Sequence, residues 1–372
     1  MRRFEDALRS VDAFGPADLC ACSRISMAEV FAHDRQRETA QKLIEQAAAF
    51  VRGTHHRYQD AAIAAVRAFA DPRGSSGCPS VDQVAVCMQL LERQGRRGTF
   101  LVVRDAAAFV LNYALEYGIQ SQLAHDLIVA EGLQPPSGAS SAWPWHIRIN
   151  ALGTFNLQID GAVYRREGRS PQKVLEMLKV LLSCGSREQY STALSDALWP
   201  DADGDEAKIS LHTALHRLRR LLRDEEAVRL QGGKLWLDRE LCWADVWTFE
   251  HQADALLASG HALNTAEQDE ARRTLALYEG PLLPGDDHPA LLHARERLHN
   301  KFIKLSIRFG EALADGQNWH ECTRTFDRAL EIDPANRPIA ARRSRILALR
   351  DSALAADASI AGGAPAGGRR GG

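Results

Sequence analysis

The chain has 372 residues, 45% of them hydrophobic and 25% charged, with a formal net charge of −2. That length suits two or three domains, and the near-zero charge means that any grip on nucleic acid must come from a local basic face. Seven scattered cysteines form no CxxC pair and no zinc-ligand spacing, so reduced thiols are expected. Arg2 and Arg3 lead into no apolar signal-peptide core, and no stretch approaches the ~20 apolar residues of a membrane span. The expectation is a soluble, cytoplasmic protein with no membrane partner.

Residues 1–134 read as helix after helix. An Ala-, Gln- and Glu-rich pattern over 27–51 stops at Gly53, and further helical patterns span about 56–70, 80–94, 103–117 and 120–131. Helices paired on short connections predict tetratricopeptide-like hairpins. Residues 135–145, opening Pro135-Pro136-Ser137-Gly138, read as a linker. The period then changes. Ile147, Ile149 and Ala151 alternate with polar neighbours, as do Phe155, Leu157 and Ile159, and Asp160-Gly161 supplies a turn, so a short antiparallel sheet is predicted. Ser170-Pro171 opens a helix with Val174, Leu175, Leu178, Leu181 and Leu182 at helical spacing and a stop at Gly185. A second helix is predicted from about Arg187 to Trp199 and a third from about Gly204 to Arg223. Val228-Arg229-Leu230 and Leu235-Trp236-Leu237 then flank Gly232-Gly233 as a hairpin. Helices follow at about 246–259, 267–279, 288–315, 318–331 and 337–355, and a glycine-rich tail over 357–372 is expected to be disordered. The expected fold class is mainly α with a small antiparallel β component. A winged helix-turn-helix over 146–240 is flanked by tetratricopeptide-like helices over 1–134 and 241–356.

The third helix of that segment carries the functional argument. Leu211, Leu215, Leu218 and Leu222 fall in one stripe on a 3.6-residue period and must face a core. Opposite them lie Glu206, Ile209, Thr213, His216, Arg217 and Arg220, flanked by Lys208, Ser210, His212 and Arg219. Such a face suits a major groove, where arginine bonds guanine and Thr or Ile meets thymine methyls. The bland alternative, a solvated face of cations near a helix C-terminus, suits the macrodipole equally well on this helix alone. The hairpin that follows, with Arg229 and Lys234, stands where a wing would reach a minor groove. The acidic run Asp201 to Asp205 would sit poorly against phosphates and is expected to face RNA polymerase or solvent.

Residues 147–237 resemble the winged-helix output domain of OmpR/PhoB-type response regulators. They are more similar still to the DNA-binding domain of antibiotic-regulatory-protein (SARP) activators. The carrying residues are Ile149-Asn-Ala-Leu-Gly-Thr-Phe155, Ala197-Leu-Trp-Pro-Asp201 and Leu215-His-Arg-Leu-Arg-Arg-Leu221. Leu275-Ala-Leu-Tyr-Glu-Gly-Pro-Leu-Leu-Pro-Gly285 and Ala294-Arg-Glu-Arg-Leu298 resemble the start of a bacterial transcriptional activator domain, and Ala329-Leu-Glu-Ile-Asp-Pro334 resembles one tetratricopeptide repeat. The resemblance implies a third helix lying in the major groove of double-stranded DNA, with Arg217 as the leading base reader. It further implies RNA polymerase as a partner and side-by-side homo-oligomeric binding. Positions 209 and 216, often arginine in response regulators, are Ile and His here, so an operator sequence does not transfer.

A search for enzyme chemistry gives no HExxH, GxSxG or GxGxxG, and Gly233-Lys234 lacks the rest of a phosphate loop. Asp201, Asp203 and Asp205 have the spacing of a calcium loop, but His212 stands where its closing glutamate belongs. Neither catalysis, a cofactor nor a metal is expected. Trp236, Trp243 and Trp247 are expected to pack in a core rather than stack on bases. A competing reading from another class is a tetratricopeptide-like protein-interaction scaffold whose winged helix is only a docking module.

Overall fold

A computed structural model describes residues 6, 10, 11, 13, 15–52, 59–73, 78–94, 100, 102–165, 172–185 and 187–362, the side chains of 94 and 353–362 apart. Three sequence expectations fall outside them: residues 56–58 of one helix, the Ser170-Pro171 cap, and residues 363–372 of the tail. The described residues are mainly helical with a small antiparallel β component, as the periodicities predict. The chain divides into two units.

The first unit comprises residues 1–147, 160–162 and 240–243. Its helices are α1 (Ala17–His33), α2 (Arg37–Arg52), α3 (Asp60–Ala70), α4 (Val81–Gln94), α5 (Arg104–Glu116) and α6 (Ser121–Glu131). The single helix expected over 27–51 is two. The chain turns at Arg35 (φ 58°), and Gln36 N donates to Phe31 O (2.9 Å). Neither Gly nor Pro marks this turn, so the pattern alone hides it. The core is lined with alanine, including Ala21, Ala28, Ala40, Ala47, Ala62 and Ala65, and such small side chains let helices approach closely. The stretch 135–145 packs onto this core. Ala139 and Trp143 are buried, Asn112 Oδ1 accepts from Ser140 N (2.8 Å), and Trp145 Nε1 donates to Ser140 O (2.9 Å).

The second unit comprises residues 148–159, 163–239 and 244–372. Strands β1 (Ile147–Asn150), β2 (Asn156–Ile159), β3 (Ala162–Val163) and β7 (Cys242–Ala244) form a sheet in the order β3–β2–β1–β7. Then come α7 (Gln172–Ser183), β4 (Gln189–Tyr190), α8 (Ser191–Leu198), α9 (Gly204–Leu222), β5 (Val228–Gln231) and β6 (Lys234–Leu237). Helix α8 starts at Ser191, not near Arg187. Gln189 and Tyr190 instead pair antiparallel with Leu235 and Lys234, completing a three-stranded sheet in the order β4–β6–β5. The hairpin has the expected register, with Arg229 opposite Trp236 and Gln231 opposite Lys234. Its two-residue turn places Gly232 at φ 59° and Gly233 at φ 75°, the left-handed pair that such a turn needs and that glycine supplies without strain. Trp243 and Trp247 are buried and Trp236 half-buried, so packing accounts for all three.

Helices α10 (Asp245–Ala258), α11 (Thr265–Leu277), α12 (Pro289–Asp315), α13 (Trp319–Ile332) and α14 (Arg337–Gly362) complete this unit. Asp245 at the head of α10 is buried, and its carboxylate accepts from Ala151 N (2.8 Å), Leu152 N (2.9 Å) and Val246 N (2.7 Å). One side chain therefore ties the turn after β1 to the helical half. Burial pushes this carboxyl up to about 6, against the pull of those backbone donors. Arg295, in the Ala294–Leu298 motif, donates to the carbonyls of Leu282 (2.9 Å), Leu283 (2.9 Å) and Asp286 (3.0 Å) in the Leu275–Gly285 motif. Arg297 reaches Glu250 (2.8 Å) and the carbonyl of Ser183 at the end of α7 (3.2 Å), and Lys179 of α7 pairs with Asp286 (2.7 Å). Between α12 and α13 the Phe326 ring packs onto Gly310, where an added Cβ would stand 2.4 Å from Phe326 Cζ.

Candidate nucleic-acid interface

Helix α9 is amphipathic because its apolar residues recur at helical spacing. Ala207, Leu211, Ala214, Leu215, Leu218 and Leu222 are buried, which fixes the rotation of the helix about its own axis. Everything opposite then faces solvent. Lys208, Ile209, Thr213, His216, Arg217 and Arg220 are exposed, and Ile209, at 69%, is the most open large hydrophobic side chain among the described residues. Ser210 is half-buried. Thr213 Oγ1 donates to Ile209 O (3.0 Å), so its methyl group and a free oxygen lone pair remain outward. Among the described residues no carboxylate lies within 4.0 Å of the charged groups of Lys208, Arg217 or Arg220.

Arg219 stands apart from its neighbours. It is half-buried, and its guanidinium donates from Nε (3.0 Å) and Nη2 (2.7 Å) to Val228 O at the start of β5. It braces the hairpin against α9 rather than facing outward with Arg217 and Arg220. Leu222 is the last helical residue, and Arg223 follows in the left-handed region (φ 59°), capping the helix end.

The two wing cations are likewise engaged. Arg229 Nε donates to Asp238 Oδ2 (2.9 Å) and Nη1 contacts the Glu226 carboxylate. Lys234 Nζ donates to Glu188 Oε2 (2.8 Å) and sits 5.5 Å from the centre of the Tyr190 ring. The hydrogen bond to Asp238 raises the Arg229 pKa, and the bond to Glu188 raises that of Lys234, so both cations are held fully protonated. Tyr190, 63% exposed just ahead of α8, joins this surface through β4, an element that sequence periodicity did not predict.

Of the ten positions singled out in the sequence, Ile209, Thr213, His216, Arg217 and Arg220 thus share one open helical face, with Lys208 exposed on its flank. Ser210 lies at its margin, and Arg219, Arg229 and Lys234 are bonded within the helix–hairpin frame. The carboxylates of Glu188, Glu226 and Asp238 escaped the sequence reading. Glu188 is 46 positions from Lys234, so no local pattern signals that pair. Exposed Asp201 and Asp203 lie on the connection into α9 and exposed Asp205 in its first turn, and among the described residues no group of three or more His, Cys, Asp or Glu side chains is placed to hold a metal ion. No described helix is long and apolar enough to cross a membrane.

No family model matches the chain, and no curated protein matches it. Among solved structures, Mycobacterium tuberculosis EmbR, in complex with a low-affinity phosphopeptide, is similar over 60% of this chain and 73% of its own. The identity is 18% and the TM-score 0.32, too low for the likeness to bear on the site.

Proposed function

We propose that the chain is a sequence-specific DNA-binding transcription regulator of the SARP type, which lays α9 into the major groove. The observation that carries this reading is the outer face of α9. Arg217 and Arg220, cations without carboxylate partners, stand beside Ile209 and Thr213, with unpaired Lys208 on the flank, on a helix whose rotation is fixed by its leucine stripe. In this reading Arg217 and Arg220 bond base edges or nearby phosphates, Ile209 and Thr213 contact thymine methyls, and Lys208 and His216 hold phosphates. Arg219, Arg229 and Lys234 set the angle between helix and hairpin. The proposed role is activation by recruiting RNA polymerase, with the exposed acidic connection Asp201–Asp205 turned away from the phosphates. Copies of the chain bind side by side.

A face built only for docking a protein has no need of three unpaired cations and loses little affinity in salt. A DNA reader loses affinity steeply, because each neutralised phosphate releases counterions. Titration of a fluorescent mixed-sequence duplex into the full chain at rising salt tests this. Binding whose logarithm falls linearly with log salt, with a slope of about −3 from three uncommitted cations, supports the reading. Absence of DNA binding at low salt, or a flat salt response, overturns it in favour of the docking module.

A further inference from the structure

The outer face of α9 carries an anion among its cations. Glu206 is exposed in the first turn, and at 3.6 residues per turn it lies about 20° round the helix from both Thr213 and Arg217. Its neighbour Asp205 is also exposed, but lies about 100° away, toward the flank that carries Lys208. Among the described residues no cation stands within 4.0 Å of the Glu206 carboxylate. The residues one turn on, Ile209 and Ser210, offer it no intrahelical ion pair.

An acid in a first turn suits the helix macrodipole, and Asp205 meets that need as well as Glu206 does. The macrodipole therefore accounts for acids in this turn and not for one aligned with Thr213 and Arg217. Nor does an unpaired carboxylate on that face serve general affinity for nucleic acid, because phosphates repel it. It has one use in a major groove. Cytosine presents its N4 amino donor with no acceptor on the same base, whereas adenine sets N7 beside its donor and guanine and thymine present acceptors. The N-terminal residues of a recognition helix are the ones that meet base edges, and Glu206 stands there. We infer that Glu206 is a specificity-determining residue, accepting from the N4 amino group of one cytosine and rejecting the other bases by facing their acceptors. The inference rests on the proposed DNA binding and names a base that it selects. Eleven residues of helix, about 16 Å, separate Glu206 from Arg217, against about 3.4 Å per base pair, so the two read different base pairs.

Binding-site selection from a randomised duplex library tests it on the full chain, with Glu206→Gln and Asp205→Asn beside the wild type and thermal melting reporting that each is folded. Both variants remove one first-turn charge, but only one of them lies on the reading face. The wild type is expected to return a motif with a fixed cytosine. Glu206→Gln is expected to exchange that cytosine for adenine, which a glutamine bonds at N6 and N7, with the preference moving by about tenfold or more. The exchanged position is expected to differ from the one relaxed in Arg217→Ala, and Asp205→Asn is expected to keep the wild-type motif. A wild-type motif that Glu206→Gln leaves unchanged, or that Asp205→Asn alters in the same way, overturns the inference and leaves the DNA reading standing. A folded wild type that enriches nothing overturns the DNA reading, and the inference falls with it.

Discussion

The outer face of α9 and the hairpin beside it carry the same residue types in opposite electrostatic states. On the helix, Lys208, Arg217 and Arg220 are exposed with no carboxylate among the described residues within 4.0 Å of their charged groups. On the hairpin, Arg229 meets Glu226 and Asp238, and Lys234 meets Glu188. A cation already paired offers a phosphate little net gain, since it must surrender or share its partner. The difference teaches that counting basic residues overstates an interface. In the proposed reading the helix reads and the hairpin braces, and Arg219 bolts the two together.

Substitutions at five positions put this contrast to the test. The largest effect is expected at Asp245, which holds the turn after β1 against the head of α10. Removing its carboxylate in Asp245→Ala orphans buried backbone donors and should cost about 2–5 kcal/mol of stability, read by denaturant unfolding. Asp245→Asn tests its ionisation. A folded-state pKa raised from 3.8 to about 6 contributes stability that is complete below pH 3.8 and lost as pH rises through about 6. The variant should therefore gain on the wild type between about pH 4 and pH 6 and run parallel above; a difference independent of pH refutes the burial account.

Next comes Arg217→Ala, expected to weaken specific DNA binding by about 1–3 kcal/mol and to blur preference at one base pair, with the fold intact. An equal loss on every sequence would move Arg217 to a phosphate. Arg219→Ala should instead cost about 1–2 kcal/mol of stability, because a charged donor leaves the Val228 carbonyl, and should lower DNA affinity on all sequences alike. A loss confined to one base pair would return Arg219 to the reading face. The smallest effects belong to the hairpin. Exposed ion pairs are worth about 0–1 kcal/mol, so Lys234→Ala should change affinity less than threefold and leave the salt slope near that of the wild type. Glu188→Gln frees the lysine and should steepen that slope. A slope unmoved in Glu188→Gln takes the hairpin away from the phosphates altogether.

Much of this was legible in the residues. The leucine stripe of α9, the glycine pair of the hairpin and the alternation around Ile147 and Ile149 are local patterns with one geometric outcome each, and the structure shows all three. The break at Arg35 was not legible, because a left-handed arginine leaves no compositional mark. Neither was β4, because two residues cannot show a period and Gln189-Tyr190 pairs with a strand some 45 positions later. The open face of α9 follows from spacing alone. The commitment of Arg219, Arg229 and Lys234 depends on partners that only tertiary packing brings near. Burial of Ala139 and Trp143 was equally hidden behind a Pro, Gly and Ser composition that ordinarily spells an unattached connection.

Base reading by α9 is decided by selection of binding sites from a randomised duplex library, run in parallel with the wild-type chain and Arg217→Ala. A recovered motif is expected for the wild type, with one base position relaxed in the variant and the others kept. An unenriched library for the folded wild-type chain at low salt, or the same motif with unchanged preference from both proteins, would contradict it.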